Sequence, residues 1–220
     1  MKTIAIISQK GGAGKTTLAV HLAVCAQLHG YRSAVVDLDP QATARKWGDK
    51  RKAEPEVVGD HAERLSFLTD AAKANGADLL VIDTAPNADR ASLMAARAAD
   101  LILIPCRPAA FDLDAIEATC DLAALAKKPA WVLFSSAPVR SALVEEARRG
   151  LQEQGRLVAP QTLHQRVALS HSVIDGRTAM EFEPFGKAAA EMQEIYAWAC
   201  SQMDMPSRQR VGKQRLRKSA

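Results

Sequence analysis

The sequence predicts an α/β fold with a mostly parallel, twisted sheet flanked by helices on both faces. Three observations predict it. Short apolar, β-branched runs alternate with longer segments of helical spacing, and no internal repeat breaks the alternation. Runs such as "LILIP" (101–105) and "WVLFS" (131–135) are apolar at nearly every position, as suits parallel strands covered on both faces. The first run leads directly into a glycine-rich turn and an Ala/Leu-rich helix, the strand–loop–helix order of a phosphate-binding unit.

Each element follows from its residues. "MKTIAII" predicts a first strand over 3–8. "TTLAVHLAVCAQLHG" predicts a buried helix over 15–29, with Gly30 as its C-cap. The next strand, 33–38, ends in aspartates, and a helix is expected over 41–52. In "DHAERLSFLTDAAKANG", Leu65, Leu68 and Ala72 share one helical face, giving a helix over 60–75 with Asp60 as N-cap. Further strands are expected at 79–83, 101–105 and 131–135, and further helices at 90–98, 111–126, 141–153 and 186–202. Residues 154–185 show no clear period and receive no assignment.

The chemistry concentrates in "ISQKGGAGKTTLAV", residues 7–20. Backbone N–H groups at a helix N-terminus attract a polyanion, and glycines allow close approach. The usual P-loop reads G-x-x-x-x-G-K-[ST]. Gly14-Lys15-Thr16 fits its end: Lys15 is placed for the β/γ-phosphates and the Thr16 hydroxyl for Mg²⁺. The first glycine of the pattern falls on Gln9, and a second lysine, Lys10, precedes Gly11, Gly12 and Ala13. From residue type alone, Lys10 is either a second phosphate cation or a solvated loop lysine. Asp37 and Asp39 in "AVVDLDPQ" and Asp83 in "LLVIDTAP" stand at C-terminal strand ends, where open α/β sheets bind ligands. Asp83 is placed like the strand-end aspartate that holds a magnesium shell.

"KGGAGKTT", "DLDPQ" and "VIDTAP" resemble the deviant Walker A, Walker A′ and Walker B motifs of the ParA/MinD ATPases, over roughly residues 1–200. "DPQATARKW" resembles the small ParA subgroup that partitions plasmids (ParF-like). The resemblance implies a P-loop NTPase fold, ATP and Mg²⁺ as cofactors, and weak ATPase activity. It implies ATP contacts from Lys10, Gly11, Gly12, Ala13, Gly14, Lys15, Thr16 and Thr17. Lys10 matches the signature lysine that reaches the partner's nucleotide in an ATP-dependent sandwich homodimer. Asp39 matches the residue that positions the attacking water, so Lys10, Lys15 and Asp39 are the catalytic candidates. Thr16, Asp37, Asp39 and Asp83 are the metal candidates, the carboxylates directly or through water. The family also implies nonspecific DNA binding, a nucleoid-associated cytoplasmic location, and higher assemblies. No helix-turn-helix precedes the P-loop, unlike the larger ParA proteins, so a separate centromere-binding adaptor of the ParB/ParG kind is implied. Arg166, in "LHQRVALSHSVIDG", lies in a stretch that resembles the family's dimer and DNA surfaces; an ordinary surface arginine remains the alternative.

Composition bounds the classes. With 220 residues, 48% hydrophobic and 25% charged, the chain fits one globular domain. Apolar runs are strand-length or broken by charges, no signal-peptide pattern opens the chain, and no membrane partner is expected. The four cysteines are widely spaced without C-x-x-C, which suits a reducing compartment and argues against a cluster-binding relative of the same fold. A body over 1–203 and a basic, disordered tail over 204–220 are expected. The tail holds Arg208, Arg210, Lys213, Arg215, Arg217 and Lys218; these six cations against a net charge of +4 leave the rest of the chain at −2. They are the main DNA-binding candidates. Two alternatives stand beside partition: a MinD-like spatial positioning ATPase, and a VirC1-like accessory protein of DNA transfer. An intact P-loop argues against a binding module without catalysis.

Overall fold

The computed structural model describes residues 1–87 and 89–206. Seven parallel strands form one sheet in the order β3-β2-β4-β1-β5-β6-β7. These are β1 (Lys2–Ile6), β2 (Ser33–Asp37), β3 (Glu56–Gly59), β4 (Leu79–Asp83), β5 (Leu101–Cys106), β6 (Ala130–Ala137) and β7 (Val158–His164). The helices are α1 (Lys15–Leu28), α2 (Thr43–Arg51), α3 (Leu65–Ala74), α4 (Asp89–Ala98), α5 (Ala110–Leu125), α6 (Leu143–Glu153), α7 (Val167–Ser172), α8 (Ala179–Phe182) and α9 (Lys187–Gln202).

The period-2 geometry of the strands builds two cores. Ile4, Ile6, Leu79, Val81, Leu101 and Leu103 face α1, α2, α8 and α9. Ala5, Ile7, Leu80, Ile82, Ile102 and Ile104 face α3, α4, α5 and α6. All twelve are essentially inaccessible, which explains why the runs are apolar at every position. Cys25 and Cys200 pack in the first core and Cys106 and Cys120 in the second; all four are buried, and none forms a disulfide among the described residues.

The five expected strands are present. The two that the sequence did not show, β3 and β7, are the sheet edges. β3 has only four residues, none fully buried. β7 carries Pro160, Gln161 and Thr162 on a half-exposed edge. Helix ends differ in two places. α1 closes in a Schellman turn: Gly30 (φ 76) donates to Gln27 and Tyr31 to Ala26, so Gly30 sits where a left-handed residue is needed. Asp60 is not a side-chain N-cap. A 3₁₀ turn (Ala62–Arg64) precedes α3, and the Asp60 carboxylate instead accepts from the His61 N–H and pairs with Arg64. The body also runs past the expected boundary at 203. Met205 is buried in the first core and the Tyr31 hydroxyl donates to the Pro206 carbonyl. The tail cations Arg208, Arg210, Lys213, Arg215, Arg217 and Lys218 lie outside the described residues.

Candidate functional site

β1 is central, with β4 on one side and β5 on the other, so the chain reverses direction across the sheet beside it. Such a switch point opens a crevice at the C-terminal strand ends. The loop 7–14 lies there, between β1 and α1. Gly12 (φ 73) and Gly14 (φ 87) hold the left-handed conformations that curl it. α1 starts on Gly14 with no side-chain cap and no acid in its first turn. Its first N–H groups therefore face the loop as donors for an anion.

Lys15 sits at the centre of the curl, 7% exposed. Its ammonium donates to the carbonyls of Ser8 (3.0 Å) and Lys10 (3.1 Å). Burial holds its pKa below the usual lysine range, with Asp83 and Asp39 pulling the other way. Lys10 is half-buried at the rim, and its ammonium has no hydrogen-bond or ion-pair partner among the described residues. The two lysines thus face different surroundings, one inward and one toward the rim.

The strand register assembles the acids. Asp37 and Asp83 are paired across β2 and β4, and Asp83 with Ile6 across β4 and β1. Asp83 is fully buried and accepts from the Thr16 hydroxyl at 2.6 Å. Its other oxygen, Oδ1, is buried without a partner. Burial pushes its pKa up to about 7, against the Thr16 hydrogen bond that lowers it. An orphaned carboxylate oxygen beside the Thr16 hydroxyl, in the first turn of α1, fits a hard cation such as Mg²⁺. Among the described residues no group of three or more His, Cys, Asp or Glu side chains could hold a metal alone.

Asp37 has a bracing role as well. Its two oxygens accept from the backbone N–H groups of Asp39 and Arg45, both at 3.0 Å. Burial raises its pKa, while those backbone bonds lower it. The carboxylate thereby ties the loop carrying Asp39 to the first turn of α2, whose start is delayed to Thr43 by the left-handed Ala42 (φ 51). Asp39, half-buried, accepts from the Gln41 N–H at 2.9 Å. Arg166 is not brought to this site. Its guanidinium is bound to Glu191 (2.6 Å), which also accepts from His164. That ion pair neutralises the charge proposed for DNA.

Three participants were missed in the sequence. Ser135 on β6 donates to the Ala13 carbonyl. Gln9 donates to Asp89 and accepts from the Asn87 N–H, joining the loop to the segment after Asp83. His21, in α1, accepts from the Ala179 N–H at 3.0 Å. Only His21 left a signal, as a polar residue inside an otherwise apolar helix.

This geometry agrees with what the chain resembles. A family profile, CobQ/CobB/MinD/ParA nucleotide binding domain, matches residues 4–179. The maintenance of carboxysome distribution protein A of Gloeobacter kilaueensis is 31% identical over 92% of this chain and 94% of its own length. The chromosome-partitioning ATPase Soj of Thermus thermophilus is 25% identical over 90% of this chain and 80% of its own. Among solved structures, the cell division ATPase MinD of Pyrococcus furiosus superposes with TM-score 0.73 at 17% identity, covering 91% of this chain and 98% of that one. With the profile spanning most of its length and these motifs in place, the chain is a member of the ParA/MinD family of nucleotide-binding P-loop ATPases.

Proposed function

We propose that the protein is a weak Mg²⁺-dependent ATPase that works as a positioning switch. ATP joins two copies in a sandwich, the dimer holds DNA without sequence preference, and hydrolysis releases both. The observation that carries this reading is the pair of loop lysines: Lys15 buried in its own loop, Lys10 at the rim without a partner among the described residues. A single subunit has little use for the second cation; a partner's triphosphate gives it one.

The roles follow from the placement. Residues Gly11 to Thr17 supply backbone donors and Lys15 the charge for the β/γ-phosphates. Thr16 and Asp83 would hold Mg²⁺, with Asp37 and Asp39 in its outer shell. The metal would neutralise developing phosphate charge. Asp39, on a braced loop at the crevice, orients water rather than acting as a strong base. The cargo is a plasmid or chromosome, brought by a centromere-binding adaptor. A second reading, with cargo other than a replicon, is favoured by the carboxysome-distribution relative, which is 31% identical over 92% of the chain. A membrane-based MinD-like cycle is disfavoured. The tail sets Val211 and Leu216 among six cations, a narrow apolar face for an amphipathic anchor and a composition that suits a polyanion better.

Light scattering during size exclusion, with ADP, ATP or a nonhydrolysable analogue and with or without duplex DNA, tests the reading. A dimer with ATP alone, co-eluting with DNA, is expected. A monomer under every condition overturns the switch.

A further inference from the structure

The phosphate loop is tied to its surroundings at both ends: the Gln9 N–H donates to the buried Thr119 hydroxyl at 3.3 Å, and a second buried hydroxyl holds the end that leads into α1. Ser135, 1% exposed, donates to the carbonyl of Ala13 at 2.7 Å across a sequence separation of 122. It reaches the loop by ordinary strand alternation: Leu133 faces the core that contains α1, and Ser135, two residues on, falls on the same face of β6. The irregularity follows it: the pairing of β6 with β7 shifts register between Phe134 and Ala137, and Ser136 takes a left-handed φ of 49°. A Cβ on Gly14 would stand 4.0 Å from the Cβ of Ser135, so the strand and the loop are in direct packing contact.

The peptide plane makes that hydrogen bond consequential. In a trans peptide the C=O of one residue and the N–H of the next point in opposite directions. Fixing the Ala13 carbonyl toward β6 therefore turns the Gly14 N–H away from β6. Gly14 is free to follow because its φ of 87° is open to glycine. Without the hydroxyl, the Ala13–Gly14 peptide loses the contact that selects this orientation.

We propose that Ser135 is a positioning residue for nucleotide binding: it sets the Ala13–Gly14 peptide so that the Gly14 N–H is presented to the β-phosphate before nucleotide arrives. The proposal rests on the chain binding ATP at this loop. ATP and ADP share the β-phosphate, so Ser135 acts on both alike. It does not act on the reacting γ-phosphoryl group or on the partner subunit.

The test is calorimetric titration of ADP and ATP into the wild type, Ser135→Ala and Ser135→Thr, with steady-state ATPase kinetics and melting of the ligand-free proteins. Nucleotide binding by the wild type secures the loop assignment first; a wild type that binds neither nucleotide overturns that assignment and this proposal with it. With Ser135→Ala, affinity for ADP and ATP should fall together by about tenfold, the effect of one buried hydrogen bond. KM should rise by about the same factor and kcat should stay within about twofold. Ser135→Thr, which keeps the hydroxyl, should restore most of the affinity. Should Ser135→Ala fail to fold, Ser135→Cys keeps the volume with a weaker donor and should give an intermediate KM. Unchanged nucleotide affinity in a folded variant, with or without a lower melting temperature, overturns the proposal, because Ser135 would then serve the fold and not the loop. A fall in kcat at unchanged KM overturns it too.

Discussion

At the residue scale, the two loop lysines separate by where their ammonium groups go. Lys15 is spent on loop carbonyls and is buried, so Lys15→Ala should lower ATP affinity in the monomer by about 100-fold, as expected for losing charge-assisted bonds to phosphate. Lys10→Ala should leave monomeric ADP and ATP binding unchanged while ATP-dependent dimerisation is lost; titration calorimetry and light scattering separate the two variants. Normal dimerisation of Lys10→Ala would return Lys10 to a solvated loop residue. Asp83 illustrates the cost of keeping a site ready. Its pKa is raised from 3.8 to about 7 by burial, so the folded state holds a proton that the unfolded state has already released. The stability it contributes is full below about 3.8 and is lost as pH rises through about 7. Asp83→Asn should therefore stabilise the ligand-free protein at pH 8, by at most about 4 kcal/mol at 1.36 kcal/mol per unit, while abolishing Mg²⁺-dependent hydrolysis. Urea unfolding with no gain in stability would show that the carboxylate is better solvated than its surroundings indicate.

At the element scale, the segment from Val173 to Phe182 is fastened to the helices behind the site. The Arg51 guanidinium of α2 makes two 2.8 Å bonds to Glu181 and a third to the Gly176 carbonyl. Trp47 donates to Arg177. His21 of α1 lies between the Thr17 carbonyl, to which Nδ1 donates, and the Ala179 N–H, from which Nε2 accepts. The Nε2 bond requires the neutral ring, whereas the Nδ1 donation to Thr17 survives protonation. Burial depresses its pKa from 6.5 to about 4, against the Thr17 carbonyl and Glu181. The unfolded imidazole takes a proton below about 6.5 and the folded one only near 4, so this contribution is present above 6.5 and lost as pH falls toward 4. Relative to His21→Asn, the wild type should lose about 3 kcal/mol of unfolding free energy across that window. Asp83 acts with the opposite sign over the same range, so only the difference between wild type and variant isolates the ring. Parallel stability curves for the two proteins would mean that water reaches His21.

At the scale of the whole molecule, charge is divided between a near-neutral body and a basic tail. The tail's six cations exceed the net charge of the entire chain, and the body's own DNA candidate, Arg166, is paired with Glu191. Deleting 207–220 should therefore weaken nonspecific duplex binding and flatten its salt dependence. At about −0.9 per neutralised phosphate, six cations allow at most roughly five units of logarithmic slope per chain. ATP-dependent dimerisation should survive, because the loop and its acids belong to the body. DNA affinity across a salt series decides it: equal affinities and slopes with and without the tail would place the DNA contacts on the body.

The sequence by itself determined the sheet interior and the phosphate chemistry. Ile4 to Ile7, Leu79 to Ile82 and Leu101 to Ile104 are apolar at consecutive positions because both strand faces are covered, and that demand is written locally. The loop motif and its strand-end acids are equally local, since each needs only a strand behind it. The edge strands were not legible. Glu56–Gly59 and Val158–His164 need apolar residues on part of one face only, so their pattern is too sparse to read. Tertiary structure alone decided what joins distant residues: Ser135 to Ala13, His21 to Ala179, Arg51 to Glu181 and Arg166 to Glu191. Each is a polar pair made by burial of partners far apart in the chain, and neither member carries a periodic signal of its own. Register did the rest: pairing β2 with β4 sets Asp37 opposite Asp83, which turns two strand-end aspartates into one site.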